Sequence, residues 1–188
     1  MALTDQQKND VNINVPIWVN LLLKNGVPVN IVPLLIAQVI YESGWFNSRA
    51  YKLNKNPSGI TWNNNYLKRP GTSIGIKRPA REGGNYVNFD SYDTAVKDYL
   101  RILNKNGRQG RPIEATDQET FINRLKANNY FAGSITDYKR GVNSILKNVN
   151  TVLDLEAVIK KKAINTAAIN PLFMLVIGGA VLAAIFKK

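Results

Sequence analysis

The sequence predicts an α+β fold that is mainly helical, with one small β-hairpin lobe and a C-terminal transmembrane helix. Three observations carry this expectation. Apolar residues recur at helical spacing behind capping residues on either side of a central loop region. That region, residues 53–88, is rich in Gly, Pro and Asn and holds two short β-like runs. From Leu172 to Phe186 every residue is apolar or Gly.

Residues 15–25 read as a helix stopped by Gly26. Asn30 is expected to cap a second helix, with Pro33 in its first turn and Gly44 ending it. Thr72–Lys77 and Asn85–Phe89 flank Gly83-Gly84 and predict a hairpin. Ser91 caps a helix to about Asn104, and Thr116-x-x-Glu119 forms a capping box for one that fades at Asn128-Asn129. Thr136 or Asp137 begins a last helix, whose buried face carries Val142, Ile145, Leu146, Val149, Val152 and Leu153. Asn is abundant, 24 residues, but dispersed. There are no internal repeats.

The Leu172–Phe186 run is shorter than the ~20 residues that span a bilayer. The mildly polar Thr166–Pro171 stretch extends it, and lysines at both margins can snorkel. Gly179 and Ala183 make a small-xxx-small pair that would permit self-association in lipid. Met1–Asn14 is polar, so no signal peptide is expected. The expected division is a folded domain over 1–155, a basic juxtamembrane connector over 156–168 and a membrane anchor over 169–188. A single-pass protein of undecided orientation follows, since lysines lie on both sides of the run.

Composition restricts the chemistry. The chain has 25 Lys+Arg, 13 Asp+Glu, a net charge of +12, and neither Cys nor His. Zinc sites built on those ligands, thiol nucleophiles, disulfides and Ser-His-Asp relays are excluded. No metal or cofactor is expected, and acid–base work falls to carboxylates, Tyr, Lys or water. Lysines cluster at 160–162 and 187–188, yet the remainder is basic without them. That excess suits an anionic cell-wall polymer or a membrane surface. No Arg–aromatic stripe points to nucleic acid, which is not an expected partner.

Among 13 carboxylates Glu42 stands apart. It ends a helix that is apolar around most of its circumference, so it emerges from the core at the negative end of the helix dipole. Both conditions disfavour the carboxylate and would raise its pKa, as a general acid for glycosidic cleavage requires. The alternative from this feature alone is a solvated Glu in a last helical turn.

Four motifs bear on that choice. Ala37-Gln-Val-Ile-Tyr-Glu42-Ser-Gly-Trp-Phe-Asn-Ser48 resembles the A-x-x-x-x-E-S-G-W-G-x-S signature of glycoside hydrolase family 73. These are bacterial N-acetylglucosaminidases, flagellar and autolysin-type peptidoglycan hydrolases of the lysozyme-like superfamily. Asn56-Pro-Ser-Gly-Ile-Thr61 is similar to the family's N-L-F-G-I-K, and Tyr86–Tyr99 to its F-R-x-Y-x-S-x-x-E-S-x-x-D-Y stretch. Asn128–Tyr138 resembles the closing G-Y-A-T-D-x-x-Y-A-x-K segment. The order of the four is that of the family. Phe46, Pro57-Ser58 and Gly141 depart from it, standing where Gly, Leu-Phe and Lys are usual.

The resemblance implies a lysozyme-like fold and a peptidoglycan glycosidase with Glu42 as general acid. It implies a role for Tyr138 beside the acid, bonding the N-acetyl group or the intermediate; a core Tyr is the alternative. The family often carries a second acidic residue in the β-lobe, for which Glu82 is the available candidate, although a solvated turn residue is favoured. Ser43, Trp45, Asn56, Gly59, Trp62 and Tyr99 are expected to bind substrate or support the cleft, the two tryptophans by stacking on pyranose faces or as packing. Trp18 is expected in the core. Capture by water gives hydrolysis, whereas capture by a muramoyl C6 hydroxyl gives the anhydro product of a lytic transglycosylase. A non-catalytic wall-binding module and a structural membrane protein of a virion are the other readings. An anchored lysin carried in a membrane-containing virion would fit the architecture.

Overall fold

The structure, a computed structural model, describes residues 2–104 and 109–169. Seven α-helices and one antiparallel hairpin lie among the described residues: α1 Asp5–Lys24, α2 Val32–Glu42, α3 Arg49–Asn54, β1 Thr72–Lys77, β2 Asn85–Phe89, α4 Tyr92–Leu103, α5 Gln118–Ala127, α6 Ile135–Asn150 and α7 Leu155–Ile169. The mainly helical α+β class is as expected. No helix among the described residues is long and apolar enough to cross a membrane. The expected anchor, with its Gly179–Ala183 pair, lies outside the described residues save for Ile169, the last residue of α7.

Helix α1 begins ten residues before the expected start. Thr4 and Gln7 form a capping box, with Gln7 N–H donating to Thr4 Oγ1 at 3.2 Å and Thr4 N–H to Gln7 Oε1 at 2.9 Å. Pro16 lies inside α1. Asn12, whose carbonyl it leaves without a helical partner, is exposed to water. Asn30 does not cap α2. The helix starts at Val32 behind Ile31, and Asn30 donates instead to the Thr116 carbonyl at 3.0 Å, tying α2 to the segment before α5.

Two further caps move. Asp117, not Thr116, caps α5 and accepts from Thr120 N–H at 2.8 Å. Ser134, two residues before the expected start, caps α6, which ends at Asn150 before Val152 and Leu153. Asp154 then accepts from Ala157 N–H at 3.0 Å and opens α7. Residues 155–169 thus continue as helix, and Leu155, Ile159 and Ala163 are buried in the main core with α1 and α2. Helix α3, capped by Ser48, is unforeseen.

The hairpin pairs Thr72 with Phe89 and Ile74 with Val87, with a register irregularity between Ile74 and Lys77. Gly75 lies in that interval because the Asn54 side chain occupies the space a Cβ would need. Beneath the hairpin, Tyr66, Val87, Phe89 and Ala95 form a second, smaller core. Asp98, buried on α4, holds this lobe to the helices by accepting from Tyr66 Oη at 2.9 Å, Arg69 Nη1 at 2.9 Å and Arg101 Nε at 2.8 Å.

After Glu42 the backbone turns left-handed for three residues in succession: Gly44, Trp45 and Phe46 have φ of 57°, 60° and 61°. Such a conformation costs a non-Gly residue about 1–2 kcal/mol. Here Ser43 Oγ accepts from Phe46 N–H at 2.9 Å and Trp45 N–H reaches the Ile40 carbonyl at 2.8 Å. The Phe46 ring is buried against Tyr51, with centroids 5.3 Å apart. The usual family glycine is therefore replaced by a residue that exchanges backbone ease for packing. Denaturant unfolding should rank wild type above Phe46→Gly, and Phe46→Gly above Phe46→Ala. The Ala variant loses about 3–5 kcal/mol for the ring, and Gly recovers about 1 kcal/mol of it by adopting the left-handed region freely. An Ala variant at least as stable as the Gly variant would show that the turn carries no strain.

Candidate active site

Helix α2 places the site. Its residues from Leu34 to Ile40 are buried on every side, so only the last turn escapes the core, and that turn carries Tyr41 and Glu42. The left-handed turn then carries the chain away, which keeps the helix end open. Facing it, the start of α6 and the loop before it complete a cleft of about 200 Å³, lined among others by Tyr41, Glu42, Phe131, Ser134, Asp137 and Tyr138. Glu42 is open to solvent on the cleft side and backed by protein on the other. Partial burial raises its pKa above the ordinary 4.5, and its place at the carbonyl end of α2 acts in the same direction.

The cleft has an aromatic wall. Tyr138 stacks on Phe131 with centroids 4.1 Å apart and rings 5° from parallel, and Tyr41, 61% exposed, meets Tyr138 edge-on at 6.4 Å. Lys126 Nζ holds the wall's loop by donating to the carbonyls of Ala132 at 2.8 Å and Gly133 at 2.9 Å, above the Phe131 ring. Burial lifts the Tyr138 phenol far above its usual range, with Tyr130 and Glu42 adding to it. Burial lifts Tyr130 as well, and the Glu42 charge adds to this. Glu42, Tyr130 and Tyr138 are thus electrostatic neighbours.

Ser43, Asn56 and Tyr99, expected among the substrate contacts, are buried and their polar atoms are used inside the protein. Ser43 caps the left-handed turn. Asn56 Nδ2 donates to the carbonyls of Ile60 at 2.8 Å and Val87 at 3.0 Å, pinning the segment beside β2. Tyr99 Oη donates to Gln38 Oε1. These three shape the cleft from behind. Trp45 is half-buried against the main core, and Trp62 is half-buried over Tyr66 at 6.2 Å. Gly59, at φ +60°, lies where a Cβ would stand 3.6 Å from Tyr86. Trp18 is fully buried, its indole N–H donating to Tyr51 Oη at 3.0 Å.

Glu82 sits in the hairpin turn, 2.8 Å from Arg78 Nη2 and 3.8 Å from Arg81 Nε. The second carboxylate lining the cleft is Asp137, which the sequence offered only as a helix start. Its carboxylate accepts from Ser134 Oγ at 2.7 Å and pairs with Arg140 at 3.1 Å. Tyr41, Gln38, Tyr130 and Phe131 also escaped sequence reading as site residues, although all lie within the recognised motifs. Gly141, at the family's Lys position, lines the cleft beside Tyr41 and leaves that space open. Ser58, in place of the family's Phe, lies against Tyr130. No cluster of carboxylates among the described residues could hold a metal.

Comparison with known proteins places this geometry. The catalytic domain of the autolysin Auto from Listeria monocytogenes has a similar solved structure, with a TM-score of 0.52 at 17% identity, over 81% of this chain and 89% of that one. No curated protein sequence matches the chain. The family described as "Glucosaminidase: Mannosyl-glycoprotein endo-beta-N-acetylglucosaminidase" matches residues 16–151. Glu42 and the whole cleft fall inside that match, and the chain belongs to the glucosaminidase family.

Proposed function

We propose that the chain cleaves β-1,4 glycosidic bonds in the glycan strands of peptidoglycan, with Glu42 as general acid. The observation that carries this reading is the position of Glu42: one carboxyl with a raised pKa, at the end of a buried helix, open to an aromatic-walled cleft. The family supplies the sugar class, the name of the Listeria neighbour points to the bacterial wall, and a net charge of +12 suits an anionic wall polymer.

Protonated Glu42 donates to the bridging oxygen as the bond to the anomeric carbon breaks; the sugar bearing that oxygen departs as an alcohol, and positive charge develops on the ring that keeps the anomeric carbon. Tyr41 offers an exposed ring for sugar packing, and Tyr138 a phenol for the N-acetyl group or the intermediate. Asp137 and Glu82 are engaged by cations and, for Asp137, by Ser134. The substrate's own acetamido oxygen is then the group that stabilises the ring until water captures it. Glu42→Gln should lower turnover about 10²–10⁴-fold, while Glu82→Gln stays near wild type, both measured as muropeptide release from purified sacculi. Equal losses in both variants would establish a two-carboxylate mechanism. Mass spectrometry of the products separates a reducing end from the anhydro end that a transglycosylase leaves.

The raised pKa sets two pH dependences. kcat/KM for soluble glycan fragments should fall as pH rises through the Glu42 value, along a limb lying above 4.5. Stability follows the same group. The folded state holds this proton more tightly than the unfolded chain, so the stabilisation is complete below the unfolded pKa and lost as pH rises through the folded one. Glu42→Gln, neutral throughout, should match wild type in acid and exceed its thermal midpoint at neutral pH. An unchanged difference across the range would contradict the raised pKa.

The apolar run Leu172–Phe186, with lysines at its margins, is the proposed anchor. It suits an enzyme delivered on a membrane, including that of a membrane-containing virion. Removal of residues 170–188 should shift the protein from floating vesicles to the soluble fraction with glycosidase activity retained. Flotation of the truncated chain would place lipid binding elsewhere.

A further inference from the structure

Gln38 lies one turn before Glu42 on α2, is fully buried, and has no part in the proton transfer described above. Its Oε1 accepts a hydrogen bond from the Tyr99 hydroxyl, which α4 brings into the core. A phenol that donates this way fixes the amide: Oε1 faces Tyr99, so Nε2 faces elsewhere. Gln38 Nε2 and the Tyr138 phenol oxygen are both buried, and neither has a close hydrogen-bond partner among the described residues. Tyr138 is on α6, which packs against α2. The Gln38 amide also opposes the rise of the Tyr138 pKa, as an N–H aimed at a phenol oxygen does.

We propose that Gln38 is a positioning residue that sets the direction of hydrogen bonding at the cleft. The chain runs from Tyr99 O–H to Gln38 Oε1, and from Gln38 Nε2–H to the Tyr138 oxygen. Once the contact closes and that oxygen accepts from behind, the Tyr138 proton is left to donate toward Glu42 and the sugar. Closing the loosely held Gln38–Tyr138 contact as substrate fills the cleft strengthens binding in the reacting state over the free enzyme. This inference rests on the reading of Glu42 as the acid.

The test is a double-mutant cycle in the full chain on soluble glycan fragments, with thermal midpoints recorded for each variant. Gln38→Met keeps the shape and removes the N–H. It should lower kcat about tenfold, the effect of one hydrogen bond, with KM unchanged. Tyr138→Phe should lose at least as much, and the double variant should be no worse than Tyr138→Phe alone. Wild-type kcat in folded Gln38→Met, or losses that add, would overturn the proposal. If Gln38→Met does not fold, Tyr99→Phe takes its place in the same cycle, since it releases the amide and keeps the ring; additive losses there are equally fatal. Glu42→Gln is measured alongside. Full activity in that variant sinks the general-acid reading, whereas its inactivity with full activity in Gln38→Met sinks only the proposal about Gln38.

Discussion

A helix with no free face governs this protein. Val32, Leu34, Leu35, Ile36, Ala37, Gln38, Val39 and Ile40 are all buried, so α2 is packed around its whole circumference rather than along one stripe. Such a helix can present side chains to a ligand only at its ends. The N-terminal end is tied to the Thr116 carbonyl through Asn30, and the C-terminal end opens on the cleft. Desolvation of Glu42, its place at the negative end of the helix dipole and its proximity to Tyr130 and Tyr138 all descend from that single packing arrangement. The left-handed Gly44-Trp45-Phe46 turn is the local cost of removing the chain abruptly enough to leave the helix end uncovered.

The hairpin lobe is fastened by different means. Only Val87 and Phe89 of its strands are buried, too few to anchor it by apolar packing alone. Asparagine amides supply much of the attachment. Asn56 spans Ile60 and Val87 and Asn54 accepts from Ile76 N–H, while Asn85 braces the hairpin internally by donating to the Gly75 carbonyl at 2.8 Å. A side-chain amide imitates a peptide group and can complete a sheet where no neighbouring strand exists. The dispersed asparagines therefore have a structural use that composition alone did not disclose. Asp98 completes the attachment with three donors from the lobe and α4.

Local structure was legible where a residue's own chemistry imposed it. Ser91 as a cap, Gly26 as a stop, the hairpin about Gly83-Gly84 and Glu42 at a helix end follow from local rules, and the structure contains them. The misplacements share a cause. At Asn30, Thr116 and Thr136 a neighbouring polar residue competed for the cap, or tertiary bonding took the side chain away, and local preference could not rank the contenders. Helix α1 reads ten residues short from the sequence although Thr4-x-x-Gln7 is a local signal, because the polar Asp5–Asp10 stretch that follows Thr4 carries no apolar residue to mark a buried face. In the site, motif matching found Glu42 and Tyr138. It could not separate residues that face the cleft from Ser43, Asn56 and Tyr99 behind it, because burial is a property of the assembled core. Asp137 and Tyr41 were hidden for the converse reason: each looks like an ordinary surface residue until α2 and α6 are brought together.

The two sides of the cleft differ in how freely they can change. Glu42 is issued from a helix packed around its whole circumference, whereas Ser134 and Asp137 stand at a capped, exposed helix start. Variation there alters the shape and charge of the cleft wall while leaving the packing behind Glu42 intact. In evolutionary terms the carboxylate and the wall facing it are on separately heritable parts. A lineage can reshape the cleft by drift at the exposed Ser134 and Asp137, and a designer can search those two positions without reopening the core.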